Sequence, residues 1–75
     1  LNLPSASTTF TALGDQTRRA IIEQLSFGTA TVSELAEPLQ ISRSAILQHL
    51  QVLEDACLVT TRKQGRVRTC ELNPE

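Results

Sequence analysis

The chain has no tryptophan, tyrosine or methionine, and its only aromatics are Phe10 and Phe27. Single-stranded nucleic acid is held on stacked aromatic platforms, so that class of ligand is disfavoured, and both phenylalanines are expected in the core. The two cysteines, Cys57 and Cys70, are too few for the disulfide framework of a small secreted domain. No apolar run approaches the roughly 20 residues that span a bilayer, and no signal-peptide pattern opens the chain. Together these absences point to a cytoplasmic setting without a membrane partner. No nucleophile is paired with a base and an orienting acid, and no glycine loop could cradle phosphates. No catalytic residue is assigned, and the chain is not read as an enzyme. The one histidine, His49, has no chelating partners at metal-ligand spacing. It is read as a hydrogen-bonded structural histidine, so neither a metal nor a cofactor is expected. Repeats and low-complexity segments are absent too.

What is present suits one small folded domain. The 75 residues (8.2 kDa) are 40% apolar and 20% charged. A chain of this size buries only about 60% of its unfolded surface, so its core has little margin. The formal net charge of −1 argues against a nucleic-acid partner until its layout is read. Through Thr61 three bases (Arg18, Arg19, Arg43) face six acids. Between Arg62 and Arg68 stand four bases (Arg62, Lys63, Arg66, Arg68) and no acid. Such a block is either a solvated hairpin tip or a phosphate-contacting finger.

Residues 1–6, with a proline and no periodicity, read as a flexible arm, and 7–75 as the folded domain. Ser7 is placed to cap a short helix over 8–13 that buries Phe10 and Leu13, with Gly14 ending it. Asp15 caps a second helix, about 16–26, with Ile21, Ile22 and Leu25 on one face, and Phe27-Gly28 closes it. Thr31 and Glu34 form a capping-box signature for a third helix over about 32–39. Its apolar stripe is Val32, Leu35, Ala36 and Leu39, and Pro38 keeps it short. Ser42 caps a fourth helix, about 43–56, with an inward stripe of Ile46, Leu50, Leu53 and Cys57. The pattern then turns β-branched and extended over 58–72, a hairpin with Gln64-Gly65 as its turn. Asn73-Pro74-Glu75 resembles the start of another helix.

The third and fourth helices, joined by two or three residues, make a helix-turn-helix. Such a motif sets its second helix into the roughly 12 Å major groove of B-DNA. The outer face of that helix carries Arg43, Ser44, Leu47, Gln48 and Gln51, with Ser42 at its head. Arginine can pair with guanine, glutamine with adenine, and Leu47 can meet a thymine methyl. The basic hairpin directly after it completes a winged helix, in which Arg62, Lys63, Arg66 and Arg68 reach the DNA backbone. The fold class is therefore mainly α with a small β-hairpin, a winged helix-turn-helix DNA-binding domain. Two other readings stand beside it. One is a winged helix that docks its basic wing on an acidic protein, and the other is a metal sensor.

The run Ala12-Leu13-Gly14-Asp15-Gln16-Thr17-Arg18-Arg19 resembles the opening motif of the ArsR/SmtB family of bacterial winged-helix repressors. So do Glu34-Leu35-Ala36-Glu37-Pro38-Leu39, His49-Leu50-Gln51-Val52-Leu53-Glu54, Ala56-Cys57-Leu58-Val59 and the hairpin from Gly65 to Leu72. The resemblance implies a repressor that binds a double-stranded operator and leaves it when an effector arrives. It also implies a homodimer, joined through the first helix and a C-terminal helix that this chain lacks. The metal-sensing branch carries Cys-x-Cys where this chain has Leu35-Ala36-Glu37, which implies a non-metal-sensing type. Cys57 stands where the family has glycine, so a left-handed backbone there would be strained. Leu47 and Gln48 replace the family's usual serine and basic residue, changes that bear on operator sequence. Cys57 and Cys70 flank the hairpin and are read as plain buried cysteines, ahead of a redox pair.

Overall fold

The computed structural model describes residues 6–74, with the backbone alone at Ala6, Ser7, Thr9 and Phe10. Residues 1–5, Glu75 and the Ser7 and Phe10 side chains lie outside the described residues, and with them the expected arm and the burial of Phe10. The elements run α1 (Ala6–Leu13), α2 (Gln16–Leu25), β1 (Ala30–Thr31), α3 (Val32–Leu39), α4 (Arg43–Asp55), β2 (Val59–Gln64) and β3 (Val67–Leu72). Ser7, expected to cap α1, lies inside that helix.

Local chemistry starts three of the helices. The Asp15 carboxylate accepts the Arg18 N–H at 3.1 Å at the head of α2. At α3 the capping box closes both ways: Glu34 N–H donates to the Thr31 hydroxyl at 3.1 Å, and Thr31 N–H donates to the Glu34 carboxylate at 2.8 Å. Each bond satisfies a first-turn donor that has no carbonyl partner inside the helix. Ser42 does the same for α4, accepting Ala45 N–H at 3.1 Å. Pro38 lacks an N–H, and α3 stops one residue later. Gln40 caps it in the left-handed region at φ 55, which turns the chain toward α4 within three residues.

The sheet order is β1-β3-β2, both pairs antiparallel. β1 has no counterpart in the sequence reading. Two residues carry no period, and only their pairing (Ala30 with Cys70, Thr31 with Thr69) makes them a strand. Gln64 pairs with Val67, so the hairpin turn is Gly65-Arg66, one residue later than expected. Gly65 takes φ 61 as first central residue, which glycine reaches without steric cost.

One core joins all these elements. Ile46, Leu50 and Leu53 of α4 are at most 1% exposed and pack with Ile21, Leu25, Val32, Leu35, Val59 and Cys70. Each such aliphatic side chain contributes about 1.5–3 kcal/mol by leaving water. Ala36 and Leu39 are partly buried at its margin.

Three expected core residues are not in it. Phe27 is 84% exposed, because it follows the end of α2 two positions after Leu25, off the Ile21–Leu25 stripe. Leu13 is 37% exposed while Ala12 is fully buried, so the smaller side chain takes the inward place at the end of α1. Cys57 is exposed. The helical spacing that aligned it with Leu53 ends at Asp55, and Cys57 turns away at φ 59.

Asn73 is anchored through both its side chain and its backbone. Its side-chain N–H donates to the Cys57 carbonyl at 2.6 Å, and its side-chain oxygen accepts from the Thr60 hydroxyl. Its backbone N–H donates to Leu58 O at 3.0 Å. The end of β3 is thereby tied to the junction of α4 and β2.

Candidate nucleic-acid interface

Caps, turn and core leave the polar face of α4 outward. Arg43, Ser44, Gln48 and Gln51 are exposed, and so is Ser42, whose hydroxyl is occupied by the cap. Leu47 is half-buried and packs on the core margin, which leaves less of it for a thymine methyl than expected. Gln51 donates to the Asp55 carboxylate at 2.9 Å. Its amide is engaged beside an acid that would repel phosphate. The face open to a base edge is therefore the first turns of α4, Arg43 to Gln48.

The hairpin divides its four cations by register. Lys63 pairs with Arg68, and Thr61 with the buried Cys70, so Lys63 and Arg68 lie on the face of the hairpin that continues the core. Arg62 pairs with Thr69 on the opposite face. There it meets Glu71 at 3.7 Å, the one ion pair among the described residues. The partners are 78% and 43% exposed, a setting in which such pairs contribute less than about 1 kcal/mol. Its charge is nonetheless locally cancelled. Arg43, Lys63, Arg66 and Arg68 have no acidic partner among the described residues. Arg43 at the head of α4 shares a cleft with Arg66 and Arg68 of the wing.

A positioning group behind this face escaped the sequence reading. Arg18 donates from Nε to Ala12 O at 3.0 Å and from Nη2 to Thr11 O at 2.7 Å. Its Nη1 lies 3.2 Å from His49 Nδ1 on α4. A guanidinium can only donate, so Nδ1 accepts and the ring proton sits on Nε2. This agrees with the structural reading of His49, but nothing in the local pattern pairs residues 31 positions apart. The same arginine's N–H, followed by its charge, holds the Asp15 carboxyl below its ordinary value.

The cysteines differ from one another. Cys70 is buried and its thiol is pushed up to about 11, by burial first and the Glu54 carboxylate second, with Arg68 pulling the other way. Cys57 is exposed, and both are free thiols. Among the described residues no three His, Cys, Asp or Glu side chains gather as metal ligands would, and no helix is long and apolar enough to cross a membrane.

The family model described as "Bacterial regulatory protein, arsR family" matches residues 15–61. The HTH-type transcriptional regulator Rv2034 of Mycobacterium tuberculosis is 51% identical over 63 residues, covering 84% of this chain and 59% of the relative. The chain thus spans somewhat over half of that relative's length. The transcriptional repressor SdpR of Bacillus subtilis is 34% identical over 85% of this chain and 71% of its own. Among solved structures, the ArsR family transcriptional regulator RHA00566 superposes with a TM-score of 0.85 at 48% identity, covering 89% of this chain and 74% of that one. HlyU from Vibrio cholerae superposes at 0.83 with 32% identity, over 91% of this chain and 74% of its own.

Proposed function

The chain belongs to the arsR family of bacterial regulatory proteins, and we propose that it is a sequence-specific double-stranded DNA-binding transcriptional repressor. The observation that carries this is the cleft in which Arg43 of α4 meets Arg66 and Arg68 of the wing without an opposing acid. The outward turns of α4 enter the major groove, where the Gln48 amide has the donor and acceptor that read adenine, with Ser44 beside it and Arg43 at the head of the helix. Gln51 and Leu47 play smaller parts, one held by Asp55 and the other by the core margin. Lys63, Arg66 and Arg68 contact phosphates, whereas strand register puts Arg62 on the opposite face, beside Glu71. A relative named as a repressor supports the sign of regulation. The working form is a cytoplasmic homodimer in which α1 contributes to the interface, released from its operator by an effector. It acts by binding and not by catalysis, as befits a family of regulators.

The test is selection from a random duplex pool, followed by salt titration of the winner. With about four phosphates neutralised per protomer of a dimer, log K should fall against log salt with a slope of about −7. Enrichment of no duplex, or a slope near zero, sinks the proposal.

A further inference from the structure

Two open clefts flank the wing, and their linings differ in one respect. The outer one is lined by Thr29, Arg62, Gln64, Thr69 and Glu71, so its cation is matched by an acid. The inner one, about 130 Å³, is lined by residues 31–33, Arg43, Arg66, Val67 and Arg68. Three arginines line it, one from the head of α4 and two from the wing, and no acid does. Glu34, the acid nearest in sequence, spends a carboxylate oxygen on Thr31 N–H.

Resting on the DNA-binding reading above, we propose that this inner cleft seats a single backbone phosphate of the duplex, held jointly by Arg43, Arg66 and Arg68. Three like charges around one hollow repel each other, and a phosphodiester relieves that repulsion while accepting charge-assisted hydrogen bonds from the guanidinium groups. Val32 and Ser33, in the first turn of α3, line the same cleft, and first-turn N–H groups of a helix have no intrahelical carbonyl. Arg43 is then a phosphate ligand and not a reader of guanine, and base reading by direct hydrogen bonds passes to Ser44 and Gln48. Because one phosphate is gripped from α4 and from the wing, it sets the register between the helix in the major groove and the hairpin on the backbone. Arg43 belongs both to the cleft and to the exposed first turn of α4, which favours a duplex phosphate over a free anion.

The experiment uses the selected duplex, wild-type chain, Arg43→Gln and Arg68→Gln, with circular dichroism to confirm that both exposed-cleft variants fold. A methylphosphonate, which removes one backbone charge, is placed at each position in turn. Arg43→Gln should weaken every duplex about tenfold, leave the order of base preference intact, and lower the salt slope by about 1 per protomer. At one methylphosphonate position both substitutions should fall silent together, which identifies the duplex's own phosphate as the ligand. If Arg43→Gln instead alters base preference and its penalty persists at every methylphosphonate position, Arg43 reads a base and the proposal is overturned. Silencing of the two variants at different positions overturns it as well, since no phosphate is then shared. A wild-type chain that binds no duplex overturns the functional reading itself, an outcome distinct from the other two.

Discussion

Arg18 on α2 lies 3.2 Å through its Nη1 from His49 Nδ1 on α4, while its Nε and Nη2 hold the last carbonyls of α1. One side chain thus sets the helix that carries Arg43 and Gln48 against the two helices behind it. The core packs the inner face of α4, and this arginine braces its flank.

Loss of the arginine should be felt as stability before it is felt as binding. Arg18→Ala removes three side-chain hydrogen bonds, two of them partly buried, and should cost about 1–3 kcal/mol, read as a lower urea midpoint with an unchanged slope. His49→Asn, whose side-chain oxygen can stand in for Nδ1, should cost less than His49→Leu. Equal losses in the two would show that the acceptor does not matter.

The Asp15 cap predicts an acid limb. Its folded-state carboxyl titrates below the ordinary 3.8, chiefly because it accepts the Arg18 N–H. A depressed carboxylate stabilises the fold at pH above its unfolded value, and that stabilisation drains away as pH falls through the lower folded value. Thermal midpoints measured from pH 7 to pH 2 should therefore fall below about 3.8 in the wild type. Asp15→Asn should show a smaller fall over that window, and an identical curve would remove the cap from the account.

Cys57 at φ 59 stores backbone strain that only glycine escapes. Cys57→Gly should stabilise by up to about 1 kcal/mol, the left-handed penalty less glycine's entropy. Cys57→Ala should bring no such gain. In the native state iodoacetamide should label Cys57 and spare Cys70, which is buried and whose thiol is raised to about 11. Labelling of both at similar rates would contradict the packing of β3.

Size of a side chain is a poor guide to its worth here. Leu50, 1% exposed, should cost about 2–5 kcal/mol as Leu50→Ala. Phe27, larger but 84% exposed, should stay within about 0.5 kcal/mol as Phe27→Ser. Chemical denaturation of the two variants separates them, and a large loss at Phe27 would mean that its ring is covered.

What the sequence determined by itself was whatever depends on groups within about four positions of one another. The Asp15, Thr31 and Ser42 caps, the Ile46-Leu50-Leu53 stripe and the two helices of the helix-turn-helix all follow from such neighbours, because a helical turn brings them together without help from the rest of the chain. Tertiary structure decided what depends on distant partners. β1 exists through Cys70 and Thr69. Register set Arg62 beside Glu71 on the face of the hairpin opposite Lys63 and Arg68, while Arg43 came to line one cleft with Arg66 and Arg68 across a gap that composition cannot reveal. Phe27 looked like core by its chemistry, yet a helix that ended two residues earlier left it in solvent. Local hydrogen bonds and periodicity name the elements; which faces meet is settled only when each must bury its own apolar side at once.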